Sequence, residues 1–268
     1  MTVCSAISIR GVSKRFAGRD EASGTLALAR VDLEVRKGEV LMLLGPSGCG
    51  KSTLLNIVAG FLAPSEGEVM QDGAPVSRPD PRRTVVFQDY ALFPWKSVQE
   101  NVEFGLKAKG VAKAERRRRA REVLRTVRLN GFEERYPHEL SGGMKQRAAI
   151  ARAIAVDPEV LLMDEPFGAL DAQTRVLLQE ELARISAETG MTIIFVTHSI
   201  DEAVFLGDRI VVMSARPGRI REVHEVALPR PRLPDIRSDP EFRRLADGLW
   251  ESLRKDWQLQ PGEAAAAG

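Results

Sequence analysis

The sequence predicts an α/β fold, a buried parallel sheet carrying one helical insertion, and three observations point there. Val40–Leu44 is a continuous apolar run of the kind that a parallel strand covered on both faces requires. A glycine-rich turn follows it at once, and Ser52–Ala59 then has helical spacing, so that strand, loop and helix form one unit. Strand-like runs return at Val160–Met163, Thr192–Thr197 and Arg209–Met213, separated by the helical pattern of Gln173–Thr189.

Taken in chain order, Ala6–Ile9 and Val31–Val35 alternate like half-buried strands. The helix begun at Ser52 is expected to stop at Gly60. From about Ser97 to Arg135 the chain turns charged and helix-forming with no clear strand, which predicts an inserted helical subdomain. The segment from Leu228 opens proline-rich (LPRPRLP). Asp239-Pro240 then reads as N-cap and first helical position, and Phe242, Leu245, Leu249 and Leu253 follow on one helical face. The closing GEAAAAG reads as a frayed end, and no fixed-period repeat is present.

Composition narrows the classes of function. With 39 Lys plus Arg against 37 Asp plus Glu, the net charge of +2 gives no electrostatic argument for a nucleic-acid partner. Apolar runs such as Val160–Met163 and Ile193–Val196 fall far short of the ~20 residues of a membrane span. The opening MTVCSAISIRGVSKRF has no apolar stretch with a cleavage site, so a place in the cytoplasm is expected. The two cysteines, Cys4 and Cys49, speak against a disulfide framework, since the second lies inside the glycine-rich turn.

That turn, Gly45-Pro46-Ser47-Gly48-Cys49-Gly50-Lys51-Ser52, satisfies G-x-x-x-x-G-K-[ST]. Its glycines let backbone N–H groups turn inward around phosphate oxygens, the following helix aims its positive end there, and Lys51 adds a point charge. Ser52 is then placed to hold Mg²⁺. A second motif, Val160-Leu161-Leu162-Met163-Asp164-Glu165, is an apolar strand ending in adjacent carboxylates. Ligands gather at the carboxyl ends of parallel strands, where Asp164 suits the metal and Glu165 suits polarising a water as general base. The plainer reading of both acids is a cap on the next helix. A third motif, Leu140-Ser141-Gly142-Gly143-Met144-Lys145-Gln146-Arg147, opens a helix through Ile150 and Ile154. Ser141 is a good N-cap, and two glycines behind a hydroxyl also make a helix start that a second phosphate can approach. Two cradles in one chain imply either two different nucleotides or completion of one site by a neighbouring molecule.

The phosphate loop, the LSGG signature and the acidic strand stand in the order and spacing of ATP-binding cassette ATPases, which the sequence resembles from about Ile7 to Val226. The resemblance implies a P-loop core with a parallel sheet, an N-terminal antiparallel β subdomain and a helical subdomain at about 89–155, all within 1–230. A tail at 231–268 then carries an amphipathic helix at about 239–255. By the same resemblance Gln88, after the strand Thr84–Phe87, touches Mg²⁺ and water, and His198, ending the strand Thr192–Thr197, is the switch histidine on the γ-phosphate. Read alone, one histidine at a strand end is more often a polar terminus. Phe16 sits where the family stacks an aromatic ring on adenine; read alone it is an ordinary core phenylalanine. Thr53, Gln146 and Asp171 join the nucleotide contacts, with Ala169-Leu170-Asp171 as the loop that crosses the dimer interface.

The resemblance further implies a head-to-tail pair of ATPase subunits, each ATP lying between the phosphate loop of one chain and Ser141, Gly142 and Gly143 of the other. Permease subunits, and indirectly a periplasmic or lipid-anchored solute-binding protein, would be partners at the cytoplasmic face of the bacterial cell membrane. Phe87–Trp95, Ser214–Ile220 and Met144 resemble importers of nitrate, aliphatic sulfonates and taurine. The polar stretch Ala17–Gly24 departs from the pattern behind Phe16. Tyr90–Trp95 is aromatic for a loop and resembles the groove that receives a permease coupling helix; the plainer reading is local packing. Lys113–Glu122, KAERRRRARE, reads either as a nucleic-acid or lipid-headgroup patch or, more simply, as a helical face of the subdomain that meets the membrane partner, solvated or close to anionic lipid. A cassette that acts on nucleic acid or ribosomes is the rival class, and it usually carries coiled-coil insertions or two cassettes, neither of which this sequence contains.

Overall fold

The computed structural model describes residues 5–17, 24–215, 217–230 and 232–258, the last four by backbone alone. Cys4, most of the polar stretch behind Phe16, Arg216 and the closing GEAAAAG lie outside the described residues.

Two sheets share the core. The first is antiparallel, in the order β2-β1-β4-β5, from β1 (Ser5–Phe16), β2 (Thr25–Arg36), β4 (Glu66–Gln71) and β5 (Ala74–Pro75). The second runs β10-β9-β3-β8-β7-β6, from β3 (Val40–Leu44), β6 (Arg83–Val86), β7 (Val160–Asp164), β8 (Thr192–Thr197), β9 (Arg209–Ser214) and β10 (Arg219–Glu225). Its four pairings from β9 to β6 are parallel, and among the described strands of this sheet β10 alone runs antiparallel to its neighbour.

Every residue of β3 is buried because the strand has no solvent face. Leu41 and Leu43 pack with the antiparallel sheet and α1 (Lys51–Ala59), while Val40, Met42 and Leu44 pack with helices on the other side. α1 ends where Gly60 adopts φ 80 and turns its N–H back on Asn56 and Ile57. A Cβ at Gly60 would lie 2.4 Å from the carbonyl oxygen of Arg78, so glycine is required there on two counts.

Three helices lie in sequence between β6 and β7: α2 (Val98–Ala108), α3 (Lys113–Thr126) and α4 (Gly142–Ile154). They pack on one another through Val102, Leu106, Ala120, Leu124, Ala148 and Ala151. A capping box of Ser97 and Glu100 starts α2. α5 (Ala172–Thr189), capped by Asp171, and α6 (Ile200–Leu206), capped by Ser199, cover the same face of the sheet.

The tail is part of this core. α7 (Pro240–Gln258) buries Phe242, Leu249 and Leu253 against α6 and β9, each burial worth about 1.5–3 kcal/mol. Ahead of it, Arg232 donates to the carbonyls of Val204, Phe205 and Gly207 and so satisfies the end of α6. Burial pushes this guanidinium down to about 10.

Several elements depart from the sequence reading. β1 extends well past Ile9, and Ala6–Ile9 is buried throughout rather than alternating, with Ile7 and Ile9 in the core and the Ser8 hydroxyl bonded to the Glu34 carboxylate of β2. β4 and β10 are polar strands that no apolar pattern announces; pairing with β1 and β9 makes them.

Candidate active site

The loop from Gly45 to Gly50 joins β3 to α1 at the carboxyl end of the parallel sheet. Gly48 has φ 75 with open space beside it, and Ser47 and Gly48 are exposed, so the crest of the loop is open to solvent. Gly45 and Gly50 have another reason to be glycine. A Cβ on Gly45 would lie 2.5 Å from the Met213 carbonyl oxygen, and one on Gly50 would lie 2.5 Å from Leu28 Cδ2. The antiparallel sheet therefore leans directly on the loop, and the Cys49 side chain fills the core beneath it, its thiol pushed up by burial.

Lys51 is buried and donates to the carbonyls of Gly45 (2.7 Å) and Pro46 (2.9 Å), which holds its ammonium inside the loop. Ser52 Oγ donates to Asp164 Oδ1 at 2.9 Å. Burial pushes the Asp164 carboxyl up, and the Ser52 hydrogen bond opposes that shift. Thr53, next on α1, is half-buried.

Glu165 begins the turn after β7 at φ 43, a left-handed conformation in front of Pro166, the residue type that pushes its predecessor into extended backbone. Such a conformation costs of the order of 1–3 kcal/mol. It is held by the Glu165 N–H on the Val196 carbonyl and by the Gly168 N–H on the Glu165 carbonyl. The carboxylate is fixed between two elements: Oε1 lies 4.0 Å from Lys51 Nζ and Oε2 lies 3.1 Å from His198 Nδ1. Gln88 is exposed beyond β6, and its Nε2 would lie 3.7 Å from a Cβ on Gly168, in the turn that follows Glu165.

The residues Gly45–Thr53, Gln88, Asp164, Glu165 and His198 thus gather at the end of one sheet. Among the described residues no hydrogen bond or ion pair joins the signature to them. Ser141 accepts from the Met144 N–H as N-cap of α4, and Ser141 and Gly142 are exposed. Gly143 is buried, with its would-be Cβ 2.4 Å from Thr174 Cγ2 on α5, so this glycine answers to helix packing within the chain. Gln146 departs from the expected nucleotide contact: its side chain is 0% exposed and both its amide atoms lack a partner among the described residues, because it points into the helix-packing core. Asp171 caps α5 by accepting from the Thr174 N–H, and that bond holds its carboxyl below the usual range. Phe16 ends β1 at 43% exposure with Lys14 Nζ 5.4 Å from its ring centroid, so it is not a core phenylalanine.

A family profile described as ABC transporter matches residues 28–168, from β2 through the phosphate loop, the signature and the acidic strand. The chain belongs to the ABC transporter family. It is an ATP-binding, ATP-hydrolysing subunit of a transporter. It is 47% identical over 258 residues to the taurine import ATP-binding protein TauB of Roseobacter denitrificans, covering 95% of each chain. To the aliphatic sulfonates import ATP-binding protein SsuB of Bacillus cereus it is 48% identical over 240 residues, 89% of this chain and 93% of that one. Among solved structures, the dimeric post-hydrolysis state of the ATP-binding cassette MJ0796, bound to ADP and Pi, matches with a TM-score of 0.72 and 34% identity, over 83% of this chain and 99% of the other.

The cassette has a groove of about 440 Å³ beside the loop that follows Gln88, lined by Phe87, Ala91, Phe93, Phe104, Arg152 and Val156 among others. Trp95 stands at its edge, 71% exposed, with its ring 5.7 Å from that of Phe93. Arg152 on α4 donates to the carbonyls of Tyr90 and Ala91, which take φ 63 and 48. The signature helix therefore clamps the loop behind Gln88, a role for which the sequence offers no signal beyond a basic residue on α4. The basic run on α3 is mostly spent internally: Arg118 and Arg119 pair with Glu115, Arg118 with Glu122 and Arg116 with the buried Glu103. No described helix is long and apolar enough to cross a membrane.

Proposed function

We propose that this cassette powers the import of a small anionic or zwitterionic solute of the sulfonate, taurine or nitrate class, docking on permease subunits at the cytoplasmic face of the membrane while a solute-binding protein delivers the cargo. The observation that carries the chemistry is the Glu165 carboxylate held between Lys51 and His198 at the mouth of the phosphate loop. Identity to importer subunits over nearly the whole chain, tail included, supports the direction of transport and the solute class.

In this reading the backbone amides of Gly45–Ser52 cradle the ATP phosphates and Lys51 offsets their charge. The donor set beside the loop is hard oxygen, the Ser52 hydroxyl within hydrogen-bond reach of the Asp164 carboxylate, which fits Mg²⁺. Ser52, Asp164 and Gln88 would hold the ion, which supplies charge neutralisation on the phosphate oxygens when bound. Glu165 accepts a hydrogen bond from the attacking water and polarises it, and His198 fixes the carboxylate and reaches the γ-phosphate. Phe16 stacks on adenine from the sheet that leans on the loop. Ser141 and Gly142, both exposed, meet the nucleotide of a second cassette, so each chain brings two half-sites. The helical part at about 89–155 carries the permease contact, with the groove at Phe93 and Trp95 taking a coupling helix.

The test is uptake by the assembled transporter in vesicles. ATP-dependent accumulation of labelled taurine, an alkanesulfonate or nitrate is expected. ATP turnover stimulated by DNA or RNA in a salt-sensitive way, with no uptake, would overturn the reading in favour of the nucleic-acid class.

A further inference from the structure

A buried hydrogen-bond chain joins the C-terminal tail to the strand end that carries His198. Arg237, in the 3₁₀ turn Pro234–Ser238 ahead of α7, donates through Nη2 to Gln179 Oε1 on α5 at 2.8 Å. Gln179 Nε2 donates to Glu202 Oε1 on α6 at 3.2 Å. The other oxygen of Glu202 accepts from the Thr197 hydroxyl at 2.6 Å, and the Thr197 oxygen accepts from the Ser199 N–H at 2.9 Å. Ser199 Oγ in turn accepts from the Glu202 N–H as the cap of α6. Thr197, Gln179 and Glu202 are all buried.

The polarity of this chain is set from the guanidinium end. A guanidinium can only donate, so the amide oxygen of Gln179 must face Arg237 and its NH₂ must face Glu202. Glu202 as a carboxylate then accepts at one oxygen from Gln179 and at the other from Thr197. Burial pushes this carboxyl up; the Thr197 hydrogen bond opposes that, as do the charge of Arg175 and any charge on His198. A carboxylate kept in such surroundings is expensive to leave unpartnered, and the fold provides Arg237 a second anchor in the Phe205 ring, 4.2 Å from its guanidinium carbon. The consequence falls on His198. Its two neighbours in sequence, Thr197 and Ser199, are both tied to Glu202, so the backbone that presents the imidazole to Glu165 has little freedom.

We propose that Glu202, Gln179 and Arg237 are positioning residues for His198, so that the C-terminal tail sets the rate of ATP hydrolysis by fixing the switch histidine. None of the three touches the phosphate loop or Glu165; they act through Thr197 and Ser199. The inference rests on the reading of His198 as a residue of the hydrolytic site.

The test measures steady-state ATP hydrolysis by the full-length chain in the wild type, Arg237→Ala, Arg237→Lys, Thr197→Val and His198→Ala, with melting temperatures in parallel. Arg237→Ala and Thr197→Val are each expected to lower kcat about five- to tenfold, the scale of one lost buried hydrogen bond, with the KM for ATP unchanged. Arg237→Lys should recover part of the loss, since it keeps a donor. Combined with His198→Ala, Arg237→Ala should lower the residual rate no further. An Arg237→Ala chain with wild-type kcat, or one whose loss persists at the same factor in the His198→Ala background, would overturn the proposal while leaving His198 in the site. Full turnover by His198→Ala alone would sink the reading of His198, and the positioning role with it.

Discussion

Nδ1 of His198 lies 3.1 Å from Oε2 of Glu165, and the other oxygen of that carboxylate lies 4.0 Å from Nζ of Lys51. His198 and Glu165 directly follow β8 and β7, and Lys51 opens α1 after β3, so their meeting depends on the parallel order β3-β8-β7. A carboxylate held at both oxygens keeps one orientation, which a general base needs before its substrate arrives.

Glu165→Gln should therefore separate binding from hydrolysis. The amide cannot take a proton from water, and kcat is expected to fall by about 10²- to 10⁴-fold while ATP is retained and a dimer accumulates on size exclusion with ATP. Ordinary turnover in this variant would remove Glu165 from the mechanism.

Lys51→Ala takes a buried ammonium and its bonds to Gly45 and Pro46 out of the loop. ATP affinity, measured by equilibrium dialysis, is expected to fall at least about tenfold, as for loss of a charge-assisted contact. Unchanged affinity would count against the loop as the phosphate cradle.

Asp164→Asn should stabilise the cassette and inactivate it. The folded state raises this carboxyl, so the charged form is the costly one in the fold. The cost is present at neutral pH and is relieved as pH falls through the raised value toward the ordinary carboxylate range. The variant should melt above wild type at pH 7, with the gap closing on acidification. A lower melting temperature at pH 7 would refute this balance.

Gly142→Ala and Gly143→Ala should behave differently although the residues are adjacent. A methyl on Gly143 meets Thr174 Cγ2 at 2.4 Å, whereas one on Gly142 finds Leu170 Cδ2 at 3.4 Å. Overpacking at Gly143 is expected to cost about 1–3 kcal/mol in denaturant unfolding. Gly142→Ala should leave stability close to wild type and weaken the ATP-dependent dimer, because that glycine is exposed at the start of α4.

Trp95→Ala removes an exposed ring at the edge of the 440 Å³ groove without opening the core. Transport by the assembled complex is expected to drop severalfold while basal ATP hydrolysis by the free cassette stays near wild type, as for loss of an aromatic interface anchor. Equal loss of both activities would point to a folding defect instead.

Much of the architecture is legible in local sequence. Val40–Leu44, Thr192–Thr197 and the helix ending at Gly60 are read at their true positions, because a doubly covered strand must be apolar throughout and a left-handed cap selects glycine. β4 and β10 escape that reading, since their polar residues become strands only through the partners β1 and β9. The candidate residues Lys51, Asp164 and Glu165 stand out because each closes a run whose chemistry is local. Arg152, Gln179 and Arg237 carry no such mark, for each one's partner lies many residues away.

What the sequence alone determined is the order of strand, loop and helix, the phosphate-loop and signature motifs, and the amphipathic face of the tail, all of which are encoded over a few neighbouring residues. Only the tertiary structure decided that Gly143 of the signature packs against Thr174, that Gln146 is sealed in the core, and that the tail reaches Thr197 through Gln179 and Glu202. Those relations depend on which helices pack together and how side chains of fixed donor and acceptor character meet, and neither is written in any one stretch of chain.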